Sequence, residues 1–242
     1  MEYSSKEAVV NFTKKVLVVA AHPDDEVLGC GGTISRITNN NGVVQCIFLS
    51  DGESSRYPVA EINSPQVKEK ITSRQNSARL AATILGCLPP KFINFPDNKL
   101  DTIPLLEIAK IIQIEIDNFK PLLILTHFGS DLNIDHKITH DAVLIATRPN
   151  QVNPTAKIMS FEVPSSTELS SISTGFTFSP NCFFDVTGFE ENKFRALSAY
   201  ASEIRNFPHT RSKEYIHALM KVRGATVGIN LCEAFVTLRE LH

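Results

Sequence analysis

The stretch VLVVAAHPDDE at residues 16–26 decides the fold, because an unbroken apolar run ends there in one histidine, one proline and three acidic residues. Residues 16–21 show no polar alternation, which is typical of a strand buried on both faces of a parallel sheet. In open α/β sheets, ligands bind beyond the carboxyl ends of the strands. Residues 22–26 follow the predicted strand directly and are therefore the first candidate for a functional site.

Short apolar segments alternate with segments of helical period along the rest of the chain. Further strands are predicted at residues 43–49, 92–95, 122–126, 157–163, 182–186 and 232–238. Helices are predicted at residues 28–37, 66–85, 103–119, 135–147, 190–205 and 212–223, and loops at residues 50–65, 149–154 and 165–173. This order predicts an α/β fold, a single Rossmann-like domain over residues 1–242 with a mainly parallel twisted sheet flanked by helices.

Length and composition favour an ordinary globular protein. The chain has 242 residues, of which 43% are hydrophobic and 21% charged, and its formal net charge is −2. Without a dense basic run, nothing indicates nucleic-acid binding.

The five cysteines are scattered and form no CxxC pair, which is typical of reduced thiols in the cytoplasm. We expect a cytoplasmic protein without a signal peptide or transmembrane segment, and the sequence carries no signal of its oligomeric state.

The chemistry of residues 22–26 favours a metal site. A histidine and three carboxylates crowded at the end of a strand need a compensating positive charge, which a divalent cation provides. A catalytic zinc site uses three protein ligands of these types and leaves one position for water. His22 and either Asp24 or Asp25 would supply two of the three ligands.

A second cluster, DLNIDH at residues 131–136, follows the strand predicted at residues 122–126. Parallel strands end at the same edge of a sheet, so this cluster should lie beside residues 22–26, with His136 as the third ligand. His140, one helical turn further on, is a ligand, a partner of the ligands or a substrate contact. Either cluster alone is more often a loop or a helix cap, but two at neighbouring strand ends favour a metal site.

The segment AHPDDEVLGCGGTI at residues 21–34 resembles the signature of the PIG-L / LmbE-like family of zinc-dependent N-deacetylases. Further motifs of that family follow in the same order: LSDGE at residues 49–53, an arginine-bearing helix ending in LG at residues 74–86, FPD at residues 95–97, Asp135-His136, Tyr200-Ala201-Ser202 and Arg223-Gly224. The resemblance covers nearly the whole chain. It implies an LmbE-like deacetylase fold and the removal of an N-acetyl group from an N-acetylglucosamine-type amino sugar or sugar conjugate.

By position, the resemblance implies that His22, Asp25 and His136 bind Zn²⁺ and that Asp24 is the catalytic general base. A carboxylate beside a metal-activated water is suited to accept its proton, which agrees with the chemistry of the residues themselves. Histidine and aspartate ligands also bind iron, manganese and cobalt, so another divalent transition metal is an alternative to zinc.

Substrate contacts are implied less directly. The resemblance places Arg74 and Asp97 near sugar hydroxyls, although Arg74 also fits a salt-bridged helix face and Asp97 a simple turn. Residues 161–167 and 209–212 resemble family loops that border the pocket, and their polar side chains would otherwise be surface residues. The candidate substrate-binding residues are Arg74, Asp97, Asn133 and His140.

Two positions depart from the family pattern. Many relatives have a histidine where this chain has Asn133, and an asparagine amide donates a hydrogen bond but delivers no proton at neutral pH. The general acid would then be His127, His140 or His209. Ser77 stands where many relatives have glutamate, which leaves the contacts of that helix open.

Three other functions fit parts of the sequence. GCGGT at residues 29–33 invites a dinucleotide-binding interpretation, but its spacing is not GxGxxG and acidic residues occupy the place of a pyrophosphate. A non-catalytic metal- or glycan-binding protein on the same fold is an alternative, because a fold does not determine a function. Hydrolysis of another amide or ester is the third. The expected partner is a small N-acetylated sugar or glycoconjugate.

Overall fold

The computed structural model describes residues 13–148, 155–170 and 177–241, so the loop predicted at residues 149–154 and part of the next one lie outside the described residues. The described strands form one seven-stranded sheet in the order β3-β2-β1-β4-β5-β7-β6. They are β1 (Lys15–Ala20), β2 (Val43–Ser50), β3 (Lys91–Phe95), β4 (Leu123–His127), β5 (Lys157–Phe161), β6 (Cys182–Asp185) and β7 (Cys232–Glu240).

The first five strands run parallel to one another. Among the described strands, β7 alone runs in the opposite direction, and it pairs antiparallel with both β5 and β6. The predicted α/β fold with a mainly parallel sheet is therefore confirmed.

Helices cover both faces of the sheet. They are α1 (Asp25–Asn39), α2 (Pro65–Leu85), α3 (Leu105–Phe119), α4 (Ile134–Ala146), α5 (Glu190–Ala199) and α6 (Lys213–Ala225). Alternate residues of β1 enter opposite cores: Val16 and Val18 pack with α1, α2 and α5, whereas Leu17 and Val19 pack with α3 and α4. This burial on both sides explains the unbroken apolar run that predicted the strand. Within the described ranges, the helices lack the length and apolar character needed to cross a membrane.

Helix α1 begins earlier than the sequence predicted. The helix was expected from residue 28, but the carbonyl oxygen of Asp24 already accepts the backbone N–H groups of Val27 and Leu28, at 3.1 and 2.9 Å. Asp25 and Glu26 therefore lie in its first turn, where carboxylates interact favourably with the positive end of the helix dipole.

The same helix is interrupted at Cys30, whose φ of −146° is not helical. A buried ion pair replaces the helical hydrogen bonds lost there. The carboxylate of Glu233 accepts the N–H groups of Gly32 and Thr33 at 2.9 and 2.7 Å. Nζ of Lys193 donates to the carbonyl oxygen of Leu28 at 2.8 Å and to Glu233 at 2.6 Å.

Helix α5 ends at Ala199 instead of residue 205. The chain turns at Tyr200, whose carbonyl oxygen accepts the N–H of Glu203 at 2.8 Å. The hydroxyl of Tyr200 donates to Glu26 at 2.7 Å. This turn is therefore in contact with the carboxyl edge of the sheet, where Glu26 lies. The other element boundaries differ from the predictions by no more than two residues, and Gly86 ends α2 with a φ of 76°, as expected of a left-handed glycine cap.

Candidate active site

His22, Asp25 and His136 meet at the carboxyl edge of the sheet, where β1 leads into α1 and β4 leads towards α4. Nδ1 of His22 lies 3.1 Å from Oδ2 of Asp25, and Nε2 of His136 lies 3.4 Å from the same oxygen. One ligand atom from each residue lies within 4.8 Å of the other two. A tetrahedral ion with bonds of about 2.1 Å holds its ligand atoms roughly 3.4 Å apart, so this spacing fits a divalent metal.

Two carboxylate oxygens beside these atoms also fit a cation. Oδ1 of Asp24 and Oδ1 of Asp25 are buried and have no hydrogen-bond partner among the described residues. Leaving a buried charged oxygen without a partner is unfavourable by several kcal/mol in the apolar interior. A cation held by Asp25 and the two histidines would offset the buried charge of the Asp25 carboxylate.

The ring of His22 is held from its other side by two aspartates. Nε2 of His22 lies 3.1 Å from Asp97 and 3.2 Å from Asp135. Asp135 in turn accepts the backbone N–H groups of Asn98 at 2.8 Å and Leu100 at 3.0 Å. Carboxylates in this position orient a ligand histidine and direct its other nitrogen to the metal.

Asp131 contacts His136 in a corresponding way, and sequence reasoning did not single it out. Oδ1 of Asp131 lies 3.1 Å from Nδ1 of His136, and the hydroxyls of Ser166 and Thr167 also donate to this carboxylate. Burial opposes ionisation, but these hydrogen bonds, first that of His136, lower the pKa of Asp131 to about 2. Ser166 and Thr167 are therefore buried parts of the site. Of the two interpretations of residues 161–167, a loop bordering the pocket agrees with this burial better than a surface segment.

The charges of this cluster agree with a cation site. Burial lowers the pKa of His136, but the charge of Asp25 and the hydrogen bond to Asp131 outweigh it and raise that pKa to about 9. Burial likewise opposes protonation of His22, but hydrogen bonds to aspartates, first Asp135, raise its pKa well above the usual range. Without a metal, protons on the two histidines balance the buried carboxylates, and a divalent ion would replace them.

Asp24 has a strained backbone, with φ at 128°, a region that non-glycine residues occupy at a cost of about 1–3 kcal/mol and that is concentrated at functional sites. Its N–H donates to Glu26 at 3.0 Å. Its Oδ2 accepts hydrogen bonds from Arg74 at 3.2 Å and from Arg211 at 2.9 Å. The two arginines thus hold one oxygen of Asp24, while Oδ1 remains without a partner.

The arginines belong to a compact ion network around Glu203, a residue that the sequence did not indicate. Glu203 accepts hydrogen bonds from Arg56 at 3.0 Å and Arg211 at 3.1 Å and forms an ion pair with Arg74. Burial opposes ionisation of Glu203, but the arginines, first Arg56, lower its pKa to about 2. Arg74 is only 6% exposed and also donates to the carbonyl oxygen of Pro23 at 2.8 Å, so it supports Asp24 more directly than it faces a ligand.

A pocket of about 110 Å³ opens beside these groups. Its lining residues are His22, Asp24, Gly52, Ser55, Arg56, Arg74, Asp97, Asn98, Asn133, Glu203 and Arg211. Three of the four predicted substrate-binding residues, Arg74, Asp97 and Asn133, are among them. Asn133 caps α4 by accepting the N–H of Asp135 at 2.8 Å, and its amide donates to Asn98 at 3.2 Å.

The histidines considered as general acids do not line this pocket in the described structure. His140 contacts the carbonyl oxygen of His127 through Nδ1 at 2.8 Å. His127 is fully buried, stacks on His136 at 3.9 Å between ring centroids, and accepts the N–H of Ala21 at Nε2. Burial lowers the pKa of His127 well below its usual range. His209 is exposed and lines a neighbouring cleft.

The fold and this site define an α/β protein with a candidate metal centre at the carboxyl edge of a mainly parallel sheet. A model of the PIG-L family, described as GlcNAc-PI de-N-acetylase, matches residues 17–147. This match spans more than half of the chain, and the chain belongs to that family. Membership places it among enzymes that hydrolyse amide C–N bonds.

Two relatives are similar over most of their length. A protein of Bacillus anthracis described as a probable N-acetyl-alpha-D-glucosaminyl L-malate deacetylase 2 is 27% identical over 207 residues, covering 84% of this chain and 87% of the relative. The diacetylchitobiose deacetylase of Thermococcus kodakarensis is 27% identical over 200 residues, covering 80% of this chain and 71% of the relative.

Solved structures share the fold. The N,N'-diacetylchitobiose deacetylase of Pyrococcus horikoshii superposes with a TM-score of 0.73 at 21% identity, covering 93% of this chain and 84% of the other. GalB of Pseudomonas putida, a 4-carboxy-2-hydroxymuconate hydratase, superposes with a TM-score of 0.69 at 23% identity, covering 94% of this chain and 98% of the other. At this level of identity the similarity concerns the fold alone, and proteins with this fold differ in chemistry.

Proposed function

We propose that this protein is a zinc-dependent deacetylase that removes an N-acetyl group from an N-acetylglucosamine-type amino sugar or sugar conjugate. The observation that carries this proposal is the convergence of His22, Asp25 and His136 beside Asp24, which keeps one carboxylate oxygen without a partner. Family membership and two deacetylase relatives that act on N-acetylated sugars give independent support.

The donor set supports zinc as the metal. Two imidazole nitrogens and one carboxylate oxygen are a ligand combination of catalytic zinc sites, which leave one position open. His22, Asp25 and His136 would hold the ion, and Asp97, Asp131 and Asp135 would orient the two imidazoles. Zinc held there would lower the pKa of the attacking water and polarise the acetyl carbonyl.

Asp24 serves as the proton carrier of the reaction. Arg74 and Arg211 hold Oδ2 of Asp24 in place, so Oδ1 accepts the proton of the attacking water. The same oxygen then returns a proton to the departing amine nitrogen. A single residue is assigned both steps because His127 is buried in the sheet and His140 and His209 do not line the pocket.

Polar side chains around the pocket are suited to bind and orient a sugar. Asp97 accepts a hydrogen bond from Ser55, and Asn98 and Asn133 present amide groups at the same rim. These groups would contact sugar hydroxyls and the acetamido oxygen, with Asn133 donating where many relatives have histidine.

All five cysteines are free, which supports a cytoplasmic location.

The proposal is tested by measuring acetate release from a panel of N-acetylated amino sugars and glycosides. We expect release by the zinc-loaded protein, loss after chelation and recovery when zinc is returned. Asp24→Asn should reduce kcat by at least about 100-fold while zinc content stays the same, because it removes the proton carrier and no metal ligand. Asp141→Asn, at an exposed position of α4, is the matched control.

Two results would contradict the proposal in different ways. Stoichiometric zinc binding without acetate release from any substrate would identify a non-catalytic metal- or glycan-binding protein. Acetate release that is unaffected by Asp24→Asn would show that the reaction does not use this carboxylate. Release of a different acid from other amides, with the same dependence on zinc and Asp24, would assign the site to another amide hydrolase.

A further inference from the structure

Tyr200 lies at the turn after α5 and contacts the groups that support Asp24. It is 1% exposed, and its hydroxyl donates to Oε1 of Glu26 at 2.7 Å. Oε2 of the same carboxylate accepts the backbone N–H of Asp24 at 3.0 Å. The two oxygens of Glu26 therefore link the phenol of Tyr200 to the backbone of Asp24.

This link supports a strained part of the backbone. Asp24 has a φ of 128°, and conformations of this kind persist only where surrounding groups hold them. Glu26, which accepts the N–H of Asp24, is 3% exposed. Because so little of Glu26 faces solvent, the hydrogen bond from Tyr200 takes the place of water in fixing the orientation of its carboxylate.

The ring of Tyr200 contacts a second support of Asp24. Cζ of Arg74 lies 5.9 Å from the centroid of this ring, within the range of a cation–π interaction. Arg74 donates to Oδ2 of Asp24 at 3.2 Å. One tyrosine thus contacts both the residue that holds the backbone of Asp24 and a residue that holds its carboxylate.

The backbone of Tyr200 leads to a third support. Its carbonyl oxygen accepts the N–H of Glu203 at 2.8 Å, which fixes the turn that carries Glu203. The carboxylate of Glu203 pairs with Arg74 and Arg211, the two arginines that bind Oδ2 of Asp24. A buried tyrosine needs one partner for its hydroxyl, but here the hydroxyl, the ring and the backbone all lead to one side chain.

We propose that Tyr200 is a positioning residue of the reaction and acts through Glu26 and Arg74 to hold Asp24 in the orientation of the proton carrier. This inference rests on the proposed deacetylase function. Tyr200 is not among the residues that line the pocket in the described structure, so it acts on Asp24 and not on the substrate.

Tyr200→Phe tests this inference, because it keeps the ring beside Arg74 and removes the hydroxyl that holds Glu26. We expect kcat for acetate release to fall by about 10- to 100-fold, the scale of loss when a catalytic group is displaced. KM should change by less than about 2-fold, because substrate binding does not involve Tyr200, and zinc content should stay the same. Tyr215→Phe, at a half-buried position of α6, is the matched control and should keep the wild-type kcat.

Two double variants separate positioning from a general effect on the fold. Glu26→Met breaks the same link from its other end, so adding Tyr200→Phe to it should lower kcat by less than about 3-fold further. Tyr200→Phe should also change the residual kcat of Asp24→Asn by less than about 3-fold, since positioning matters only for a working proton carrier. A further loss in either double variant as large as that of Tyr200→Phe alone would overturn the proposal.

Hydrogen exchange of the Asp24 amide, measured by NMR, reports its bond to Glu26 without any turnover. We expect this exchange to be about 10-fold faster in Tyr200→Phe and in Glu26→Met, whereas exchange of the Val18 amide in the centre of β1 stays as in the wild type. Unchanged exchange at Asp24, or equal acceleration at both amides, would contradict a local positioning role.

The exchange measurement also separates this proposal from the deacetylase function. Absence of acetate release from every substrate would refute the deacetylase function, and exchange at Asp24 would still decide whether Tyr200 holds this residue. If Tyr200→Phe does not fold, Glu26→Met alone tests the link through the same exchange and the same kcat.

Discussion

Nη1 of Arg211 lies 2.9 Å from Oδ2 of Asp24, although the two residues are 187 positions apart in the chain. Arg74 reaches the same oxygen from α2 at 3.2 Å. The carboxylate that we assign as proton carrier is therefore held on one side by two arginines and free on the other. This arrangement places its reactive oxygen without relying on the strained backbone of Asp24 alone.

Arg211→Met should impair catalysis and leave the metal in place. One charged hydrogen bond to Asp24 is lost, and such bonds contribute about 1.5–3 kcal/mol, so we expect kcat to fall by about 10- to 100-fold. Zinc content should be unchanged, because Arg211 contacts none of the proposed ligands. Kinetics on an active N-acetylated substrate and metal analysis test this, with Arg195→Met as control. An unchanged kcat would show that Arg211 does not position Asp24 for catalysis.

Asp131→Asn should weaken metal binding. The carboxylate lies 3.1 Å from Nδ1 of His136, and removing such a partner from a ligand histidine typically lowers metal affinity by about 10- to 100-fold. The dissociation constant for zinc, measured by competition with a chelator, tests this. Asp141→Asn should retain the wild-type constant. If both variants bind zinc like the wild type, His136 is not a ligand positioned by Asp131.

Lys193→Met should destabilise the fold. Lys193 and Glu233 are 2% and 4% exposed, and breaking a buried pair by removing one partner costs about 3–5 kcal/mol of the free energy of unfolding. Adding Glu233→Gln to Lys193→Met should recover part of this loss, because no buried charge is then left unpaired. Lys213→Met, at an exposed position, should change stability by less than about 0.5 kcal/mol. Denaturant unfolding measures all three, and a stable Lys193→Met variant would contradict the assignment of this pair to the break in α1.

Glu203 should make stability depend on pH in the acid range. Its pKa is about 2 in the folded protein, below the ordinary value of 4.5, so the folded state favours the ionised form. The resulting stabilisation is fully present above about pH 4.5 and is lost as the pH falls towards about 2. Glu203→Gln should therefore lower the free energy of unfolding at neutral pH and reduce its decline between about pH 5 and pH 3. Equal declines in the variant and the wild type would contradict this.

The sequence predicted the parts of the site that are local. Periodicity identified the strands, since β1 and β4 are buried on both faces and contain no polar alternation. Ligands bind beyond the carboxyl ends of parallel strands, and this rule predicted from the sequence that residues 22–26 and 131–136 lie side by side. The resemblance placed Asp97 near the sugar, and in the structure this residue lies 3.1 Å from His22.

Other features depend on packing between distant segments and leave no local pattern. The start of α1 at Asp25 and the end of α5 at Ala199 differ from the predictions. Side chains at these two ends make contacts with distant or neighbouring groups of the site: Asp25 with His22, and Tyr200 with Glu26. His140 has the helical spacing of a ligand, yet it turns to the carbonyl oxygen of His127. Helical spacing gives the face on which a residue lies, and neighbouring elements decide which atoms it meets.

What the amino-acid sequence determined by itself is the order of strands and helices, the mainly parallel sheet, and the two clusters of histidine and aspartate at its carboxyl edge. These follow from side-chain polarity over short distances. Only the tertiary structure decided that Asp131 holds His136, that Arg211 holds Asp24, and that Lys193 and Glu233 join the two halves of α1. The two residues of each pair lie in separate segments of the chain. They come into contact only when the sheet and its helices have packed together, so no local sequence pattern identifies them.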